Sequence, residues 1–225
     1  MVEIVDHMEV LEALLRAPLR VTMVRRQTFP ARWHVADAVI VTHRFILLEE
    51  GVLDYTVEGR RYRLKAGEQF FVPAWCRREW TATTKGCRLL WCEFSSGAVT
   101  VPPVLCRREA GAVREDRRCF ERMLALFGAG ETRERVLGCE GELKAALARF
   151  WVEVRMEGSG GGAVRVRHPE VVRAVAWLER HYAETDALEA FYRTVQLSPN
   201  HFRLLFRRET GETVQAVLAR LRLRR

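Results

Sequence analysis

The stretch "SPNHFRLLFRRETG", residues 198–211, gathers side chains suited to one kind of chemistry. Asn200, His201, Arg203, Arg207 and Arg208 bring polar or charged groups, three of them guanidinium ions. An arginine neutralises phosphate as a fixed charge and pairs bidentately with guanine, so such groups on one face suit a DNA groove. They share a face only on a helix. Phe202, Leu205 and Phe206 would then turn to a core, with Asn200, Arg203, Leu204, Arg207 and Arg208 on or near the other side. Ser198 suits the N-cap, Pro199 the first helical position and Gly211 the C-terminal stop. Ser198, Asn200, His201, Arg203, Arg207 and Arg208 are therefore the candidate DNA-contacting residues.

Charge placement agrees. Residues 198–225 hold seven arginines against two glutamates, a surplus of five in a chain of net charge +8. A basic end is the electrostatic footprint of a phosphate-backbone binder. Only three of the 37 basic residues are lysine, so part of this richness follows a chain-wide arginine bias, and arginines on a helix also simply solvate it.

Other chemistries find little support. There is no G-x-S-x-G, no cysteine with a convincing histidine partner, and "GSGGG" lacks the Lys-Ser/Thr of a phosphate loop. The six cysteines form no C-x-x-C pair, which argues against a zinc ribbon or redox dithiol and for reduced core or surface thiols in a cytoplasmic protein. No run of 18 apolar residues exists, so no membrane helix is expected. The opening "MVEIVDHMEVLEALLRAP" lacks the basic start of a secretory signal; Asp6 and Glu9 suit a capping box, with Pro18 ending the helix.

These residues need elements to hold them. "EGSGGGA", residues 157–163, has a linker's composition and separates residues 1–156 from 164–225. The first hundred residues read as strands: "DAVIVTHRFILLEEG", a hairpin of "VLDYTV" and "EGRRYRL" turning at Glu58-Gly59, then "GEQFFVPA" and "CRLLWCEF". Many short strands argue a sandwich or small barrel. The period then changes. In "REDRRCFERMLALFG", Phe120, Met123, Leu124 and Phe127 recur at helical spacing, as do Leu143, Leu147, Phe150, Trp151 and Val154 in "GELKAALARFWVEVRM". This pair packs within one subunit or forms a dimer seam. Residues 164–225 read as four helices with a short helix, turn and basic helix at their centre. The fold class is α+β.

"AVAWLERHYAETDALEAFYRTVQLSPNHFRLLFRRETGETVQAVLARLRLRR" resembles the DNA-binding domain of AraC/XylS-type transcription regulators. Leu188, Phe191, Leu197, Ser198, Phe202, Phe206, Arg207, Thr210, Gly211 and the pair Arg220-Leu221 carry the match. "LKAGEQFFVPAW" and "WCEF" resemble the cupin-type sensing domain of such regulators. The resemblance implies a cupin-like barrel or sandwich followed by two helices, then an all-α helix-turn-helix domain. It implies a cytoplasmic homodimer that binds double-stranded DNA and a small-molecule effector.

Three positions depart from the family. The family domain has two helix-turn-helix units, and this sequence ends within the joining helix, which implies fewer phosphate contacts. Tyr192 stands where the family has alanine at the crossing of the two helices; buried there it would overpack by roughly 1–3 kcal/mol, unless the pair re-docks with the hydroxyl in water. Leu204 stands where the family has an arginine directed at DNA, and a leucine can at best touch a thymine methyl. Gln196, in place of a turn glycine, departs more weakly.

The cupin likeness also implies where a metal would sit. Anchored on Gly51, Gly67 and Pro73, the four ligand positions fall on Ala38, Ile40, Arg44 and Arg78. None is a suitable donor, so no metal, no cofactor and no enzymatic activity are expected, and His34 and His43 nearby read as structural. Strand alternation points Arg44 and Arg78 inward. They either form an anion site with Trp33, Tyr55, Trp80 and Trp91 as its lining (and Trp75 beside them), or pair with acids such as Glu79 or Glu93. The leading expectation is a ligand-sensing, DNA-binding regulator. The alternative is a ligand- or partner-binding cupin whose helix-turn-helix no longer reads DNA.

Overall fold

A computed structural model describes residues 7–83, 86–96, 101, 105–108, 113–129, 132–156 and 168–222. The glycine-rich stretch 157–163 and Asp6, the expected helix cap, lie outside them. The chain divides into two compact units, residues 1–164 and 165–225.

In chain order the first unit holds α1 (His7–Arg16), β1 (Arg20–Pro30), β2 (His34–Ile40), β3 (His43–Glu50), β4 (Val52–Val57), β5 (Arg60–Lys65), β6 (Gln69–Val72), β7 (Cys76–Ala82), β8 (Gly86–Ser95), β9 (Cys106–Arg108), α2 (Val113–Gly128), α3 (Arg133–Glu153) and β10 (Arg155–Met156). The strands form two antiparallel sheets, ordered β1-β8-β3-β6-β9-β10 and β2-β7-β4-β5. The smaller sheet alternates: Leu53, Tyr55 and Val57 of β4 are in or near the interior while Asp54 is exposed. The larger sheet is covered on both faces, which is why Phe45 to Leu48 of β3 are all buried. Ile46, Leu48, Phe70, Val72, Leu89 and Trp91 face the smaller sheet. Phe45, Leu47, Phe71, Leu90, Cys92 and Phe94 face α1, α2 and α3. Phe45 meets Phe120 at 5.2 Å and Phe150 at 5.1 Å between ring centroids. Burying a side chain of this size contributes about 1.5–3 kcal/mol.

Two turns need glycine or its like. Glu58 and Gly59 join β4 to β5 with φ of 47° and 79°, the paired left-handed conformation of a tight hairpin. Gly51 joins β3 to β4 at φ 89°, and a Cβ there would lie 2.3 Å from the carbonyl oxygen of Gly86.

The elements depart from expectation in three places. "DAVIVTHRFILLEEG" is two strands, broken after Ile40, since β2 and β3 belong to different sheets. α3 begins at Arg133 rather than near Gly141, because the Thr132 hydroxyl accepts from the Arg135 N–H and caps it there. It ends at Glu153, and Arg155 and Met156, read as helix, pair with Arg107 and Cys106 of β9. All six cysteines are free and buried, so none is a surface thiol.

The second unit is helical: α4 (Pro169–His181), α5 (Ala187–Tyr192), α6 (Pro199–Thr210) and α7 (Val214–Arg222). Val171, Val175, Leu178, Phe191, Phe202, Leu205, Phe206, Val217 and Leu218 are buried and form its interior. The Arg173 guanidinium donates to the Thr194 carbonyl at 2.7 Å, satisfying an acceptor just past α5. Ser198 caps α6 as its hydroxyl accepts from the His201 N–H, and Gly211 closes it at φ 77°.

Candidate functional site

Register places the two inward arginines at one end of the sandwich. Arg44, the second residue of β3, lies opposite Val72, the last residue of β6, and opposite Glu93 of β8. The chain passes from Val72 through Pro73, Ala74 and Trp75 to Cys76, and Arg78 lies two residues on. Trp75 holds a left-handed φ of 67° in that turn, its N–H on the Ile40 carbonyl at 2.5 Å. A large non-glycine residue there stores strain of about 1–3 kcal/mol.

The two arginines have different surroundings. Arg44 makes a close ion pair with Glu93, which is fully buried, and its guanidinium carbon lies 4.8 Å from the centre of the Trp91 ring. Arg78 is 5% exposed, and its Nη1 donates to the Tyr55 hydroxyl at 3.3 Å. No carboxylate pairs with it among the described residues, and its Nε is buried without a hydrogen-bond partner. The indole nitrogen of Trp91, a residue 9% exposed, is likewise buried and unpartnered. Tyr55, Trp80, Phe70 and Trp91 belong to the apolar cluster between the sheets, and the Tyr55 and Phe70 rings meet edge-on at 5.6 Å.

The other nearby groups sit elsewhere. His43 lies on the helix-facing side, between Phe71 and Phe94. Its Nδ1 accepts from the Ala74 N–H at 2.9 Å, leaving Nε2 to donate to the Ser96 hydroxyl at 2.8 Å. Burial pushes its pKa down to about 3, so it is a neutral pin for the β6–β7 turn. Trp33 is 46% exposed and precedes His34, which pairs with Thr81 near the far end of β7. Trp33 therefore does not join Arg44 and Arg78, a correction to its place in the expected lining. Its ring leans on Phe29 at 6.0 Å, and Phe29 in turn meets Trp80 at 4.9 Å.

Comparison with known proteins bears on this unit. Residues 25–93 match the family described as Cupin domain. Those residues form a cupin domain. Among solved structures, an RmlC-like cupin from Shewanella frigidimarina is 21% identical at a TM-score of 0.31, over 33% of this chain and 66% of that one. A cupin superfamily protein from Desulfitobacterium hafniense is 16% identical at 0.31, over 33% and 66%. Salicylate 1,2-dioxygenase from Pseudoaminobacter salicylatoxidans, in complex with gentisate, is 23% identical at 0.30, over 33% and 20%. The match thus spans about two thirds of the first two chains and a fifth of the third. No curated protein sequence matches the chain.

The cupin interior here does not fit a metal at the positions where metal-binding cupins carry ligands. Ala38 lies opposite Arg78 and Ile40 opposite Cys76, while Arg44 already faces Glu93. Guanidinium and alkyl groups cannot ligate a cation. Among the described residues no three His, Cys, Asp or Glu side chains are grouped as a metal site, and no helix is long and apolar enough to cross a membrane.

The second unit carries the other candidate surface. Asn200, His201, Arg203, Leu204, Arg207 and Arg208 are all exposed on α6, and Leu204 is 72% exposed. Tyr192 does not overpack the α5–α6 crossing. It is half-buried, its ring edge-on to Phe202 at 6.0 Å, and its hydroxyl accepts from Arg203 rather than pointing only to water. Glu93, expected only as one of the acids that could pair with Arg44 or Arg78, is the partner of Arg44, and Phe70 joins the cluster unforeseen. The signal was parity: Glu93 follows Trp91 by two residues and so shares its face.

Proposed function

We propose that the chain is a bacterial, non-enzymatic transcription regulator of AraC/XylS type. Its cupin interior takes a small-molecule effector, and α5 and α6 form a helix-turn-helix that binds double-stranded DNA. The observation that carries the reading is α6 itself, a helix capped at both ends with Asn200, His201, Arg203, Arg207 and Arg208 all on its exposed side. Ser198 holds the first turn, where backbone N–H groups favour phosphate. A homodimer in the cytoplasm completes the proposal. Effector binding would favour one arrangement of the paired DNA-binding units over another. Selection from a random duplex pool by the full chain, at low and at moderate salt, tests it. An enriched motif that survives moderate salt is the expected result.

A second reading has its own support. Leu204 puts an alkyl group on the exposed face, and Arg203 is engaged by Tyr192. On that reading the chain binds a ligand or partner through its cupin domain, and the helical unit no longer reads sequence. Salt-labile binding with no enriched motif would favour it.

A further inference from the structure

We propose that the cupin interior selects an organic monocarboxylate with an apolar body, seated through its carboxylate on Arg78 and the Trp91 indole N–H. The proposal rests on the effector-binding half of the function above and not on DNA binding.

The argument is one of charge and donors. Two guanidinium groups enter the sandwich from the same end, and among the described residues Glu93 pairs with one of them, Arg44. Arg44 is thereby neutralised. Arg78 is not, since among the described residues its one side-chain partner is the Tyr55 hydroxyl. A guanidinium 95% removed from solvent and lacking an anion is costly, and a ligand carrying one negative charge relieves that cost. The free donors agree with the charge. Arg78 Nε and Trp91 Nε1 both lie buried without an acceptor, and a carboxylate has two oxygens to offer. The neighbouring side chains of the cluster between the sheets are apolar and aromatic: Tyr55, Phe70, Trp80 and the Trp91 face. That suits a hydrocarbon body better than a sugar, whose hydroxyls would themselves need partners. Glu93 sets the count. With it the described groups Arg44, Arg78 and Glu93 sum to one positive charge, and without it to two.

Calorimetric titration of the full chain tests this, with cyclohexanecarboxylate and hexanoate as probes and cyclohexanecarboxamide, glucose, succinate and inorganic phosphate as controls. The carboxylates should bind at least about tenfold more tightly than the amide, the margin of a charge-assisted hydrogen bond. R78Q should abolish carboxylate binding and R78K should retain part of it. R78Q should also raise the ligand-free melting temperature, because it removes an uncompensated charge; if it fails to fold, R78K and the probe series still decide. E93Q should shift preference from the monocarboxylates toward succinate or phosphate. Equal affinity for amide and acid, binding unchanged in R78Q, or no binding of either carboxylate would overturn the proposal. Binding of glucose alone would overturn it while leaving effector sensing intact.

Discussion

The guanidinium of Arg203 lies over the ring of Tyr192, 5.4 Å from its centroid, and its Nε–H reaches the phenol oxygen at 3.4 Å. An arginine at the start of a basic helix is thus held by the preceding helix. Stacking of this kind is worth about 0.5–1 kcal/mol at an exposed site. Tyr192→Ala should remove it together with the half-buried ring, lowering the stability of the helical unit by about 1–2 kcal/mol. Tyr192→Phe, which keeps the ring, should cost less than about 1 kcal/mol. Urea unfolding followed by circular dichroism separates the two.

A second ion pair anchors the helices to the larger sheet. Arg108 of β9 is buried, and its Nη2 makes close contacts with Asp116 of α2 and the Gln69 side chain. Asp116 also accepts from Arg149 of α3 at 2.8 Å. Removing the shared carboxylate leaves a buried cation without its main partner. Asp116→Ala should therefore destabilise the first unit by about 3–5 kcal/mol. The double variant Arg108→Met, Asp116→Leu should recover much of that loss in the same denaturation experiment.

Gly51 has no room for a side chain. Gly51→Ala meets the Gly86 carbonyl and must hold φ 89° with a Cβ. The conformational penalty alone exceeds about 1 kcal/mol, and the clash adds about 1–3 kcal/mol. Gly59→Ala has open space around its Cβ and bears only the backbone penalty. A lower melting temperature for the first variant than for the second is the expected order.

His43 makes stability depend on acid. Its folded pKa of about 3 lies below the ordinary value of 6.5, so between those values the unfolded chain binds the proton and the folded protein does not. Stability is complete above about pH 6.5 and falls as pH drops toward 3, at up to about 1.4 kcal/mol per pH unit. His43→Gln, which can still accept from Ala74 or donate to Ser96, should flatten that slope relative to the wild type. Denaturation midpoints at pH 7, 6, 5 and 4 would show whether it does.

Local pattern carried the reading of the fold a long way. The β4–β5 hairpin and the caps of α6 follow from residue types with fixed conformational needs, Gly59, Ser198 and Gly211 among them. The inward turn of Arg44 and Arg78 follows from alternation. Partnership was less legible. Whether Arg44 or Arg78 takes Glu93 depends on which strands are neighbours, and β3 lies next to β8, 49 residues away along the chain at this pair. Asp116 and Arg108 share no periodicity, since one is on a helix and the other on a three-residue strand. For Tyr192 the sequence leaves open an overpacked ring or a re-docked helix pair with the hydroxyl in water; the ring stands half out of the interior, under an arginine.

The pairing of β1 with β8 has a temporal consequence. Arg20 meets Ser95 and Pro30 meets Gly86, so the edge strand of the larger sheet must wait for nearly the whole cupin domain before it has a neighbour. The helical unit closes mostly over short separations, with α5 and α6 joined by a turn of six residues. Ordering a long loop before any contact rewards it makes the first process slow, and contacts close in sequence make the second fast. As the ribosome releases the chain, β1 is thus an early-made segment with a late-made partner. The adjacent charges of Arg25 and Arg26, between Val24 and Phe29, interrupt its apolar run and disfavour aggregation of that waiting strand.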